Sequence, residues 1–188
     1  MQAIRRTRFR GRRGLVAAVL CSVIIAGCSD DELPTEPSDP ASLLELFGDS
    51  LYRADGTVEG LDALDDVALI GIYVAARSCP ACANFTPLLV SVYDQLQTDG
   101  RSFEVVLVST DSSEEIMFAY MEDAGMPWLA VPWGGSHAIG LLERYDVRWI
   151  PTLVIIDGDG RTVSMNGRDE LVENGAAAYD GWLEAAGG

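Results

Sequence analysis

The residues of this chain best suited to chemistry are Cys79 and Cys82, in the run Cys79-Pro80-Ala81-Cys82. They follow an apolar run from Val67 to Ala76. They precede Phe85, Leu88, Leu89, Val92 and Leu96, apolar positions at helical spacing. Two thiols three residues apart, where a buried strand hands over to a helix, read as a redox dithiol. The first turn of a helix has unpaired N–H groups and about half a positive charge, which favours a thiolate over a thiol. Cys79 is therefore expected to be the nucleophile, and Cys82, one turn further in, the thiol that closes a disulfide with it.

Other uses of the pair fit less well. A structural zinc site needs about four ligands. The chain has no second Cys pair downstream and a single histidine, His137, so neither metal nor cofactor is expected. A c-type haem would need His at position 83, which is Ala. A purely structural staple stays open as the alternative, although closing so short a loop removes little chain entropy.

The elements that must position the dithiol can be read around it. The 188 residues suit one domain, and 48% hydrophobic content suffices for a packed core. From Val67 the pattern is strand, turn, helix, strand, helix, strand. Phe103 to Val108 and Leu153 to Ile156 are short β-branched runs of the kind buried on both faces of a sheet. Asp55-Gly56 marks a turn between short strands at Leu51 to Arg53 and Thr57-Val58. Asp111 to Glu115 is an acidic helix start, and a second helix is expected around Ala138 to Tyr145. Asp157-Gly158-Asp159-Gly160 should turn the chain into an antiparallel strand at Arg161 to Met165. A single closing helix would place Leu171, Val172, Gly175, Tyr179, Trp182 and Leu183 on one face. This alternation predicts an α/β fold with a central mixed sheet flanked by helices on both faces.

The N-terminal region reads differently. Arg5, Arg6, Arg8, Arg10, Arg12 and Arg13 precede an apolar run from Leu15 to Gly27, the layout of an export signal. Its end, Ile25-Ala26-Gly27-Cys28, resembles the lipobox of bacterial lipoproteins. That resemblance implies a signal peptide over 1–27 and a lipid anchor on Cys28; an ordinary secretory signal is the alternative. Residues 28–40 are acidic and Pro-rich, a disordered tether, and the folded domain is expected over 41–188. Cleavage before Cys28 leaves seven basic against twenty-nine acidic side chains, a net charge of −22 with no lysine. A domain this acidic repels nucleic acid and anionic membrane surfaces, so no nucleic-acid partner is expected and the membrane is reached through lipid alone.

Further stretches carry a second resemblance. They are Ile72 to Ala76, the dithiol followed by Phe85-Thr86-Pro87, Glu104 to Asp111, Met126 to Trp133, Ile150-Pro151-Thr152-Leu153 and Asp157 to Gly160. In this order the chain resembles the thioredoxin superfamily, and within it the tryparedoxin and nucleoredoxin branch. The resemblance implies a thioredoxin-like fold, Cys79 as attacking and Cys82 as resolving thiol, and Pro151 as a cis-proline facing them. Ile150 would then offer its backbone N–H and C=O to a substrate strand. Two departures stand out. Ser78 occupies the place of the family's usual Trp, and Tyr73 that of the buried acid found in many thioredoxins. Trp149 is a candidate to fill the space beside Ser78.

Three other residues read as structural: His137 near a helix start, and Trp128 and Trp133 bracketing an apolar strand. Arg77, beside the dithiol, reads as a solvated cation. The expected activity is membrane-anchored thiol-disulfide exchange that reduces protein disulfides in the cell envelope, on the periplasmic or outer side of a bacterial membrane. Its partners would be a disulfide-bearing protein and a thiol donor. An oxidant or isomerase, or a binding module on the same fold, are the alternatives.

Overall fold

The apolar run before the dithiol forms the centre of the sheet. A computed structural model describes residues 40–187. The expected signal segment, Cys28 and the tether up to residue 39 lie outside the described residues. In chain order the strands are β1 (Ser50–Tyr52), β2 (Val58–Gly60), β3 (Leu69–Ala75), β4 (Phe103–Ser109), β5 (Leu129–Ala130), β6 (Thr152–Asp157) and β7 (Thr162–Ser164). The helices are α1 (Leu43–Phe47), α2 (Pro80–Thr98), α3 (Glu114–Asp123), α4 (Ser136–Arg144), α5 (Gly167–Asn174) and α6 (Ala178–Ala186).

The seven strands form one sheet in the order β2-β1-β5-β4-β3-β6-β7. β3 runs parallel to β4, from Leu69 opposite Phe103 to Ala75 opposite Ser109, and antiparallel to β6. β4 also pairs in parallel with β5, and the outer pairs are antiparallel. The crossovers from β3 to β4 and from β4 to β5 step in the same direction, so right-handed connection puts α2 and α3 on one face. Side chains alternate accordingly. Leu69, Tyr73 and Ala75 join Val105, Leu107, Leu153 and Ile155 beneath α2, α3 and α6. Ile70, Ile72 and Val74 join Val106, Val108, Val154 and Ile156 beneath α1 and α4. The mixed sheet with helices on both faces is therefore present.

The C-terminal segment differs from expectation. In place of one closing helix, α5 ends at Gly175, one 3-10 turn spans Gly175–Ala177, and α6 begins afresh. Gly175 takes φ +57, which glycine adopts without steric cost, and its N–H closes α5 on Leu171 O. The change of direction buries Leu171, Tyr179 and Trp182. It leaves Val172 and Leu183 exposed, at 56% and 41%.

One ionisable group is built into β4. Glu104 Oε2 accepts from Tyr93 OH at 3.2 Å, and Oε1 from Val105 N at 2.8 Å. Burial holds its carboxyl above the ordinary glutamate value despite these bonds. The folded state therefore keeps a proton that the unfolded chain has already released, and stability falls as pH rises from near 4.5 through the raised folded value. Glu104→Gln is expected to remove that fall. Urea midpoints measured between pH 4 and 8 check it: variant and wild type should coincide at the acid end, with the variant ahead at neutral pH.

Candidate redox site

The dithiol sits where β3 ends and α2 begins, and the local sequence dictates how. Pro80 at the first helical position has its φ preset and lacks an N–H the helix start would leave unpaired. Cys79 is the N-cap in extended conformation, and its Sγ accepts the Cys82 N–H at 3.1 Å. A capping acceptor normally carries oxygen. Here a sulfur, a weaker acceptor, takes that place.

Both cysteines are free thiols; Cys79 is half-buried and Cys82 fully buried. Burial pushes the Cys82 thiol up to about 12, and its hydrogen bond with Cys79 adds to the effect. Cys82 thus keeps its proton at neutral pH, while Cys79 is the sulfur an incoming disulfide can reach.

The loop before β6 closes the site. The Ile150–Pro151 peptide bond is cis, and Ile150 O lies 3.7 Å from Cys79 Sγ. Cys79, Cys82, Ile150 and Pro151 are thereby brought to one end of the sheet. The backbone two residues before Cys79 is held by Asp111. Its Oδ1 accepts the Arg77 N–H at 2.9 Å, its Oδ2 accepts from Ser109 Oγ at 2.9 Å, and its carbonyl accepts from Trp133 Nε1 at 2.8 Å. A groove of about 440 Å³ beside Ser78 is lined by Arg77, Thr110, Asp111, Ser112 and Ile116.

The remaining candidates lie outside this arrangement. Trp149 is 82% exposed, so it does not fill the space beside Ser78. Trp128 is core, whereas Trp133 is partly exposed and spends its N–H on Asp111. Arg77 ion-pairs with Asp123 at the surface. His137 Nδ1 lies 3.1 Å from Glu45 O, tying α4 to α1. Among the described residues no group of three or more His, Cys, Asp or Glu is placed to hold a metal, and no helix is long and apolar enough to cross a membrane.

Two residues near the dithiol escape a reading of the sequence. Thr86 Oγ1 stands 2.8 Å from Cys82 O, and Tyr73 OH and Tyr120 OH each stand 2.7 Å from Thr86 Oγ1. Tyr73 was visible as a substitution at the family's acid position. Thr86 and Tyr120 are 34 positions apart, and no local pattern links them.

With this geometry in view, a family model described as thioredoxin-like matches residues 67–162, the span from before β3 to the start of β7. The chain belongs to the thioredoxin-like family. Within it, this thioredoxin-like chain falls in the branch of nucleoredoxins and tryparedoxins. It is 33% identical over 158 residues to nucleoredoxin from Danio rerio, covering 83% of this chain and 37% of that protein. It thus spans about a third of the length of the curated nucleoredoxins it matches. Among solved structures, thioredoxin from Wuchereria bancrofti superposes with a TM-score of 0.64 at 36% identity, covering 77% of this chain and 99% of that one. Tryparedoxin I from Crithidia fasciculata superposes with a TM-score of 0.61 at 35% identity, covering 68% and 87%.

Proposed function

We propose that this chain is a membrane-anchored thiol-disulfide oxidoreductase that reduces protein disulfides in the cell envelope. The observation that carries the chemistry is the division of labour in the dithiol: an accessible helix-capping sulfur at Cys79 and a buried, protonated one at Cys82. Anchoring and export rest on the Arg-rich, apolar segment that ends at Cys28.

In the forward direction the Cys79 thiolate attacks one sulfur of the substrate disulfide. The S–S bond breaks, the other substrate sulfur leaves with the electron pair, and a mixed disulfide remains on Cys79. The Ile150 backbone, beside Cys79, offers hydrogen bonds to the substrate strand. Cys82 then attacks Cys79 Sγ and the second substrate sulfur leaves, taking up a proton. Two electrons have passed from the dithiol to the substrate, and a thiol donor restores the pair.

Direction is tested by titrating the Cys79/Cys82 couple against dithiothreitol and glutathione buffers. A reductase is expected near the roughly −270 mV of thioredoxin. A value near about −120 mV would make the protein an oxidant, and the lack of any reversible transition would sink the redox reading.

A further inference from the structure

Behind the dithiol three hydroxyls meet without a carboxylate among them. Their proton directions follow from counting. A carbonyl oxygen only accepts, so the single Thr86 hydroxyl proton goes to Cys82 O; Tyr73 and Tyr120 must then both donate to Thr86 Oγ1. All three protons are used within the set, and none reaches a sulfur. The cluster joins three elements, β3 through Tyr73, α2 through Thr86 and α3 through Tyr120.

The place where it grips matters. Pro87, the next residue, has no N–H, so the α2 ladder lacks the bond that would reach Ala83 O. The turn that carries both cysteines is tied to the rest of α2 by fewer backbone bonds than a regular helix provides. Thr86 adds one from its side chain, onto the carbonyl of the resolving cysteine itself.

We propose that Tyr73, Thr86 and Tyr120 are positioning residues for the second half of the exchange, holding Cys82 in register with Cys79 while Cys79 carries the substrate. This rests on the exchange reaction proposed above. The reason lies in what the mixed disulfide removes. In the dithiol, the Cys79 sulfur caps the turn by accepting the Cys82 N–H. Once Cys79 is bonded to substrate its sulfur is part of a disulfide and is drawn towards the substrate, so this already weak sulfur acceptor no longer fixes the turn. The carbonyl clamp does not change with redox state, because its members are neutral. Burial holds both tyrosine hydroxyls above their ordinary value, so they stay protonated throughout the physiological range. The first attack needs only an accessible Cys79; the second needs Cys82 held in place. In that second step the Cys82–Cys79 S–S bond forms as the Cys79–substrate bond breaks, and the Cys82 proton ends on the departing sulfur. The clamp itself takes no proton.

The test is stopped-flow reaction of the full reduced chain with dithiobis(nitrobenzoate), which releases one coloured thiolate on attack by Cys79 and a second on closure by Cys82. Thr86→Val is expected to leave the first phase within about twofold and to slow the second by about tenfold, the effect of one hydrogen bond on a rate. Thr86→Ser should restore the second phase. Equal slowing of both phases, or an unchanged second phase in folded Thr86→Val, overturns the proposal. Should Thr86→Val fail to fold, Tyr120→Phe, which keeps the Thr86–Cys82 bond, must still slow the second phase selectively; an unchanged second phase there also overturns it. Wild-type protein that releases no second thiolate would instead sink the exchange reaction itself.

Discussion

Replacing Cys79 with serine is expected to reduce disulfide exchange to the uncatalysed background, while Cys82→Ser stops the reaction halfway. The asymmetry follows from burial. Cys82 is fully buried and holds its proton, so it cannot substitute for Cys79 as the first nucleophile. Serine at Cys79 still caps α2, since its oxygen accepts the same N–H, so the fold survives and only the chemistry is lost. Cys82→Ser leaves Cys79 reactive but removes the thiol that releases the product, and each molecule should accumulate one substrate as a mixed disulfide. Insulin reduction followed by turbidity, with non-reducing gels for the adduct, measures both. Turnover retained by Cys79→Ser would contradict the assignment, and so would a Cys82→Ser protein that traps nothing. Expressed with its N-terminal segment in a bacterial host, the Cys82→Ser trap should yield adducts in the membrane fraction, and adding Cys28→Ser should move them to the soluble fraction.

The part of this arrangement readable from sequence is the part that local pattern encodes. Apolar runs of strand length, the dithiol at a strand-to-helix junction and Pro80 at the helix start all act within a few residues of themselves. The capping box of α1 was equally local. Ser42 and Glu45 satisfy each other's backbone N–H groups, with distances of 3.3 and 2.9 Å. Ser42-Leu43-Leu44-Glu45 carries its Ser-x-x-Glu signature. Two features lay beyond such reading. Helical periodicity does not register backbone sign, so Gly175 at φ +57 could break the closing helix while its neighbours still kept a helical spacing. Closeness to Pro151 in the chain does not say what a side chain packs against, and Trp149 packs on almost nothing. The hydroxyl clamp is the extreme case. Tyr73, Thr86 and Tyr120 are brought together only by the crossovers that stack α2 and α3 on the same face of β3 and β4.

Trp128→Ala is expected to cost about 3–5 kcal/mol of stability, the range for deleting a large buried aromatic side chain. Trp128 is 1% exposed and stands edge-on to Tyr73 at 6.2 Å and to Tyr93 at 5.6 Å. Tyr93 in turn meets Phe103, whose ring stacks on Trp182 of α6 at 5.9 Å. The indole therefore links the tyrosine behind the dithiol to the row of rings that holds down the C-terminal helix. Its Nε1 has no hydrogen-bond partner among the described residues. A buried donor without a partner carries its desolvation cost in the native protein, so Trp128→Phe gives up packing volume but also removes that cost. The phenylalanine variant should lose clearly less than the alanine one, by denaturant midpoint at unchanged m-value. An alanine variant within about 1 kcal/mol of wild type would show that the neighbouring rings collapse into the space. The same substitution bears on the chemistry, because Tyr73 anchors the clamp on Cys82. Loosening its ring should slow the second thiolate release in Trp128→Ala more than the first, while Trp128→Phe, which keeps an aromatic face against Tyr73, should leave the two phases in their wild-type ratio.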